Sequence, residues 1–370
     1  MSTLDAALDG ASVVVCCGSG GVGKTTTAAV IGIELARRGH RVVVVTIDPA
    51  RRLADALGLP DGIGAEPQRI DLDAPGELWA MMLDTAVMFD RVVRANAADE
   101  EQADRIVQNR FFRNMVGALS GTQEYMASEA LHQLHGDDRF DVVVVDTPPS
   151  RHALDFLEAP GVLARFLDHK VFRLLMLPTR RGLKVLNTAA QPILRAIGRV
   201  VGSDVLADAV AFFQAFTGME AGFRERAASV MALLISPQTR YVLVAAPRHD
   251  TVAEAVWFAD QLRARGIGVS AAVVNRAHPR FGSGTAAEAV ERAAAEDDPR
   301  IAALWANLAE LRTIAERERQ AVAPLHDRLG RAPMVDVPLL AGDVHDRGGL
   351  AEIGTHLFKK ARSVPTPGRR

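Results

Sequence analysis

The chain has 370 residues, 48% of them hydrophobic and 24% charged, a composition that gives a sizeable core and excludes disorder as the main state. Its formal net charge of −2 provides no global attraction to nucleic acid or anionic lipid, so nucleic acid is not an expected partner. Met1 to Ala11 has no basic stretch followed by an apolar core, and no uncharged apolar run reaches the roughly 18 residues that cross a bilayer; a cytoplasmic location is expected.

In chain order, the β-branched run Ser12 to Cys17 reads as a buried strand, and Gly18 ends it. Cys16 and Cys17, the only cysteines, fall inside that run with side chains on opposite faces, which argues against a structural disulfide or a cysteine zinc site. Thr25 to Arg38 carries apolar residues at helical spacing and stops at Gly39. Further strands are read at 41–47, 141–145, 241–245, 269–274 and 334–337. Because the interior ones are apolar at every position, they belong to a parallel sheet covered by helices on both faces. The expected fold is therefore α/β, with a mostly parallel central sheet. Residues 78–135 and 160–235 show helical periodicity instead, and read as an all-helical subdomain inserted into a single domain spanning 1–370. Eight of the ten methionines, among them Met81, Met82, Met88, Met115, Met126, Met176, Met219 and Met231, fall in these stretches; they form either the core between the inserted helices or a thioether-rich surface. Residues 276–300 read as a mobile connection and 363–370 as a flexible tail.

Gly18-Ser19-Gly20-Gly21-Val22-Gly23-Lys24-Thr25 fits the pattern G-x-x-x-x-G-K-[S/T], and it stands between a buried strand and a helix as that pattern requires. Glycines let the backbone curl so that N–H groups point at phosphate oxygens, and the helix N-terminus adds positive partial charge. Gly18, Ser19, Gly20, Gly21, Val22, Gly23, Lys24, Thr25 and Thr26 are thus expected to bind ATP, with Lys24 reaching the β- and γ-phosphates and Thr25 holding Mg2+. Phosphoryl transfer also needs acidic groups near the metal and the attacking water. Asp48 follows the second strand and Asp146 closes Val142-Val143-Val144-Val145; both are read as metal-shell and catalytic residues beside Lys24.

The segments GSGGVGKTTTA, TIDPARRLADALG, VVVVDTPPSRHALDFLEAP, VVN at 273–275 and VPLLAGDV at 337–344 together resemble the ArsA-type ATPases. That family contains arsenite-pump ATPases and ATPases that deliver tail-anchored membrane proteins. The resemblance runs from about residue 12 to 353 and implies a Mg-dependent ATPase. By it, Asp48 orients the attacking water, Asp146 with Thr147 to His152 forms a γ-phosphate sensor that moves the helical part, Asn275 reads adenine, and Pro338, Leu339 and Leu340 close over the base. It also implies a homodimer, or a heterodimer with a related ATPase, with nucleotides at the interface.

Three departures bear on function. The family loop carries a lysine that crosses the dimer where this chain has Ser19, which supplies no charge; Arg51, Arg52 and Arg151 are candidate substitutes. The paired-cysteine zinc motif and the metalloid-binding cysteines are missing, so neither a zinc nor an arsenite site is expected. Two readings of output stay open: an ATPase whose helical part binds a protein or membrane-protein client or a transport partner, and a regulatory subunit of weak hydrolysis paired with a catalytic paralogue. A hydrolase triad from Asp146, Ser150 and His152 is disfavoured by their closeness in sequence, and His132 with His135 lacks the companions of a metal site. Glu310 to Arg319 reads as an exposed helix with paired charges.

Overall fold

The computed structural model describes residues 3–47, 52–59, 62–110, 122–149, 153–161, 208–209, 211–212, 214–342, 344 and 346–358. The chain divides into one unit made of Met1–Met82, Asp138–Arg151 and Pro237–Arg370 and a second made of Leu83–Asp137 and His152–Ser236.

The first unit is built on eight strands: β1 (Val13–Gly18), β2 (Arg41–Thr46), β3 (Gln68–Ile70), β4 (Glu77–Met82), β5 (Val142–Asp146), β6 (Thr239–Ala245), β7 (Val269–Ala277) and β8 (Met334–Pro338). They lie in the order β3-β4-β2-β5-β1-β6-β7-β8, parallel throughout except that β3 runs antiparallel to β4 at the edge. The valine-rich strands β1 and β5 are buried at every position, which is why their sequences do not alternate. Beside the sheet stand α1 (Thr3–Leu8), α2 (Lys24–Arg37) and α3 (Arg52–Leu57). Helix α2 lies close on the sheet because Gly32 carries no side chain: a Cβ there would come within 2.5 Å of Val44 Cγ2 and 3.2 Å of Leu78 Cδ1.

The sequence reading began the first helical stretch at 78, but residues 77–82 are β4, paired with β2 from Arg41 opposite Glu77 to Thr46 opposite Met82. Short length and the mixed run Glu-Leu-Trp-Ala-Met-Met hide this strand from periodicity. A second correction concerns 276–300. A capping box of Thr285 and Glu288 starts a helix in the third segment of the first unit, and Asp298 with Pro299 at the first position starts another.

The second unit is helical. Its described elements include α4 (Thr85–Asn96), α5 (Glu100–Val107), α6 (Thr122–His135) and α7 (Glu220–Ile235), and residues 153–161 are helical too. Asp84 and Asp99 cap α4 and α5 by accepting backbone N–H bonds. Gln102 donates to the carbonyls of Ala215 (2.7 Å) and Thr217 (3.1 Å), and Phe212, Phe216 and Phe223 stack in series. Glu129 on α6 is fully buried and accepts from Arg226 Nε on α7 at 2.8 Å. Of the methionines, Met88, Met126 and Met219 are buried, Met231 is partly buried, and Met81 and Met82 belong to β4. Those in the described helices are therefore core, and no thioether-rich surface forms among the described residues. Met115, Met176 and residues 162–207 of the second helical stretch lie outside the described residues, as does the 363–370 tail.

The first unit continues with α8 (His249–Ala264), α9 (Ala286–Ala295), α10 (Pro299–Leu329) and α11 (Arg347–Leu357). The stretch Glu310 to Arg319 lies inside α10, but it is not simply an exposed charged face. Arg312 is buried and donates to the carbonyls of Phe281, Ser283 and Thr285, while Glu318 accepts from the His278 backbone N–H at 2.7 Å. These charges pin the segment that precedes α9. None of the described helices is long and apolar enough to cross a membrane.

Two stability outcomes follow from this packing. Gly32→Val should lower the stability of the first unit by about 1–3 kcal/mol through overpacking against Val44 and Leu78, read by urea denaturation. In the helical unit, His132 Nδ1 is buried without a hydrogen-bond partner among the described residues, and burial pulls its pKa down from the ordinary 6.5. A neutral imidazole is favoured in the folded state, so its stability is complete above 6.5 and falls as pH drops through 6.5 toward the lowered folded value. The urea midpoint should decline as the pH is lowered from about 7 through 6.5, and His132→Leu should flatten that decline.

Candidate functional site

At the carboxyl end of β1 the chain must turn into α2 in five residues, and contacts rather than flexibility dictate the glycines. A Cβ at Gly18 would come within 2.1 Å of the Val244 carbonyl oxygen on β6, and one at Gly23 within 2.2 Å of Asn275 Nδ2 on β7. Gly21 and Gly23 take positive φ values of 77° and 96°, the left-handed turns by which such loops curl. Gly23 precedes α2 without any side-chain cap, so the first-turn N–H groups stay available to an anion.

The loop is tied at several points. Lys24, 8% exposed, donates from Nζ to the Ser19 carbonyl at 2.8 Å. The Ser19 hydroxyl donates to Glu254 Oε2 on α8. Asn275 Nδ2 donates to the Val22 carbonyl at 2.9 Å. On the other side, Thr25 Oγ1 donates to Asp146 Oδ2 at 2.7 Å, and Thr46 Oγ1 reaches the same oxygen at 3.0 Å. Asp146 itself is 1% exposed, and the next residue, Thr147, donates its hydroxyl to the Cys16 carbonyl at 2.8 Å. Parallel pairing explains the convergence, since Asp146 lies opposite Cys16 of β1 and opposite Thr46 of β2. Ligands of open α/β sheets bind at such strand ends.

Next to the loop is a cavity of about 460 Å³ lined by Gly23, Thr26, Asn275, Arg276, Pro338 and Leu339 among others, within the usual range for small-ligand sites. It owes its shape to a bulge: Asn275 pairs with Val337 and Ala277 with Pro338, leaving Arg276 unpaired with a φ of 61°. Such a φ is uncommon for a residue other than glycine, and bulges redirect side chains beside functional sites.

The structure thus brings together Gly18 through Thr26, Asp146, Asn275, Pro338 and Leu339. Asp48, Arg51, Ser150, Arg151 and His152 lie outside the described residues. Sequence reasoning missed Thr46, Arg276 and Glu254. Thr46 stands in a segment that the resemblance quotes, whereas no local pattern marks the other two.

Cys16 and Cys17 are buried and unpaired with each other. Burial pushes the Cys17 thiol up to about 12, and burial followed by the nearby Asp146 charge raises Cys16 well above its ordinary value. Since only the thiolate reacts, the native protein should leave both thiols untouched by a disulfide reagent at about pH 8, with both titrating once unfolded.

A buried strand, a glycine loop with lysine and threonine at a helix start, and a carboxylate closing the neighbouring strand define a P-loop nucleotide-binding protein. More narrowly, the family model for anion-transporting ATPases matches residues 11–283. The chain belongs to this ArsA-type family. It is similar to the ATPase GET3 of Malassezia globosa, 32% identical over 167 residues that cover 45% of this chain and 48% of that protein. Similarity to the ATPase GET3 of Kluyveromyces lactis is 29% over 163 residues, covering 41% and 46%. A putative arsenical pump-driving ATPase 1 of Aquifex aeolicus is 24% identical over 344 residues, covering 90% of this chain and 75% of that protein. The chain thus spans about half the length of the GET3 relatives it matches.

Proposed function

We propose that the chain is a magnesium-dependent ATPase that couples its nucleotide state to the helical unit, and through it to a client. The observation that carries this is the convergence of Lys24, Thr25 and Asp146 on one strand end behind a curled glycine loop. Lys24 exchanges its bond to the Ser19 carbonyl for the β- and γ-phosphates. The loop N–H groups and the α2 N-terminus take the remaining phosphate charge. Asn275, Pro338 and Leu339 hold the base in the adjoining cavity. The Thr25 hydroxyl and the buried Asp146 carboxylate are hard oxygen donors of the kind Mg2+ accepts, and the ion, when bound, neutralises phosphate charge. Asp48 is assigned to orienting water, by the resemblance.

The working assembly is a dimer with the nucleotide between subunits, either of two copies or with a related ATPase. The client is a protein, a membrane-protein cargo or a membrane transport partner. An arsenite or antimonite cargo is disfavoured, because both cysteines are buried in β1. A second reading, a regulatory subunit of weak hydrolysis beside a catalytic paralogue, is favoured by one observation: position 19 holds a serine engaged with Glu254 of its own chain. The test is steady-state MgATP hydrolysis by the purified chain, with oligomeric state measured on the same samples. Turnover by a dimer, reduced about 100-fold or more by Lys24→Ala, is the expected result. Nucleotide binding with turnover no higher than in that variant favours the regulatory reading, and no nucleotide binding at all contradicts both.

A further inference from the structure

We infer that Glu254 is a positioning residue of the nucleotide site: through the Ser19 hydroxyl it holds the glycine loop in its phosphate-binding shape before nucleotide arrives. The inference rests on the nucleotide-binding reading above, and it assigns a role to a residue that no part of the glycine-loop pattern includes.

The loop has two halves. Its helix-side half is anchored by its continuity with α2 and by Asn275, whose Nδ2 holds the Val22 carbonyl at 2.9 Å. Its strand-side half, Ser19 and Gly20, lies beyond the end of β1 at Gly18 and shows no such anchor among the described residues. There Ser19 is held from two sides. Its carbonyl accepts from Lys24 Nζ at 2.8 Å, and its hydroxyl donates to Glu254 Oε2. These two bonds differ in fate. Lys24 is the side chain that must turn to the phosphates, so its bond to Ser19 is given up on binding. The Ser19–Glu254 bond makes no use of any atom the nucleotide needs, and it persists. Once Lys24 has left, that bond is the side-chain tie holding position 19 among the described residues.

The tie is well built. Ser19 is 6% exposed, so its hydroxyl has little water to compete for it. Glu254 sits one and a half turns into α8, a 16-residue helix that contacts β1 and β6 and is rigidly based in the sheet core through Val252, Ala255 and Phe258. A hydrogen bond to a charged acceptor is stronger than one between neutral groups. A loop already shaped loses less conformational freedom when it closes on its ligand, and affinity rises accordingly. The same tie explains what a serine does at position 19. The hydroxyl is used inside its own chain, as an anchor, rather than as a group reaching across to a partner.

The test is a double-mutant cycle on ATP binding by the full chain, using equilibrium titration with a fluorescent ATP analogue in the presence of Mg2+. Ser19→Ala and Glu254→Ala should each weaken binding about five- to tenfold, and the double variant should be no weaker than Glu254→Ala alone, since that variant has already lost the Ser19–Glu254 bond. Ser19→Thr and Glu254→Gln keep a hydroxyl and an acceptor oxygen, and should recover most of the loss. In turnover, KM should rise more than kcat falls in the alanine variants. Additive losses, or no rescue by Thr and Gln, would overturn the inference, as would alanine variants that bind like the original chain. Lys24→Ala separates this failure from that of the reading beneath it. If the unaltered chain does not bind the analogue, or binds it regardless of Lys24, the nucleotide-site reading itself fails.

Discussion

Asp146 Oδ2 accepts hydroxyl hydrogens from Thr25 and from Thr46, while its backbone closes the strand that pairs with both β1 and β2. One buried carboxylate therefore registers three separate pieces of chain: the start of α2, the end of β2 and the end of β5. Leaving such a carboxylate without partners in an apolar sheet would be costly, so the two hydroxyls are as much part of the fold as of the site. Their convergence is possible only because the strands are parallel, which brings the carboxyl ends of β1, β2 and β5 to one edge. Everything that binds nucleotide in the proposed account is arranged around that edge.

The glycine loop is the second consequence of the same geometry. With β1 between β5 and β6, the backbone leaving β1 passes within contact of the Val244 carbonyl on one side, and Asn275 of β7 reaches it farther on. Side chains are excluded at Gly18 and Gly23 by neighbours from strands more than 200 residues away in sequence. The loop is thus shaped by the sheet, through contacts made before any ligand is present.

Much of this was legible in the amino-acid order. Strands buried on both faces must be apolar throughout, so the runs read at 12–17 and 141–145 fall within one residue of Val13–Gly18 and Val142–Asp146, and the helix read at 25–38 within one of Lys24–Arg37. Asp146 was marked by ending a run of four valines. What escaped depends on distant partners or on irregular backbone. Nothing local reveals that Glu254 meets Ser19 or that Arg312 is buried among the carbonyls of Phe281, Ser283 and Thr285. The bulge at Arg276 carries no glycine to announce it. Strand β4 is a short mixed run at the β2 side of the sheet, so its pattern resembled the helices that follow. The alanine- and glutamate-rich stretch that becomes α9 was hidden by the glycines just before it, at 282 and 284, which read as a connection, although Thr285 and Glu288 spell its start.

In the proposed site, phosphates are held by the backbone of the loop and the base by the cavity between the loop and the end of β8. Backbone amide hydrogen exchange, measured with and without MgATP, is the sharpest test. Bound nucleotide should slow exchange in two separated segments, residues 18–26 and residues 337–342. Bound nucleotide that leaves the amides of 18–26 exchanging at their original rate would contradict that arrangement.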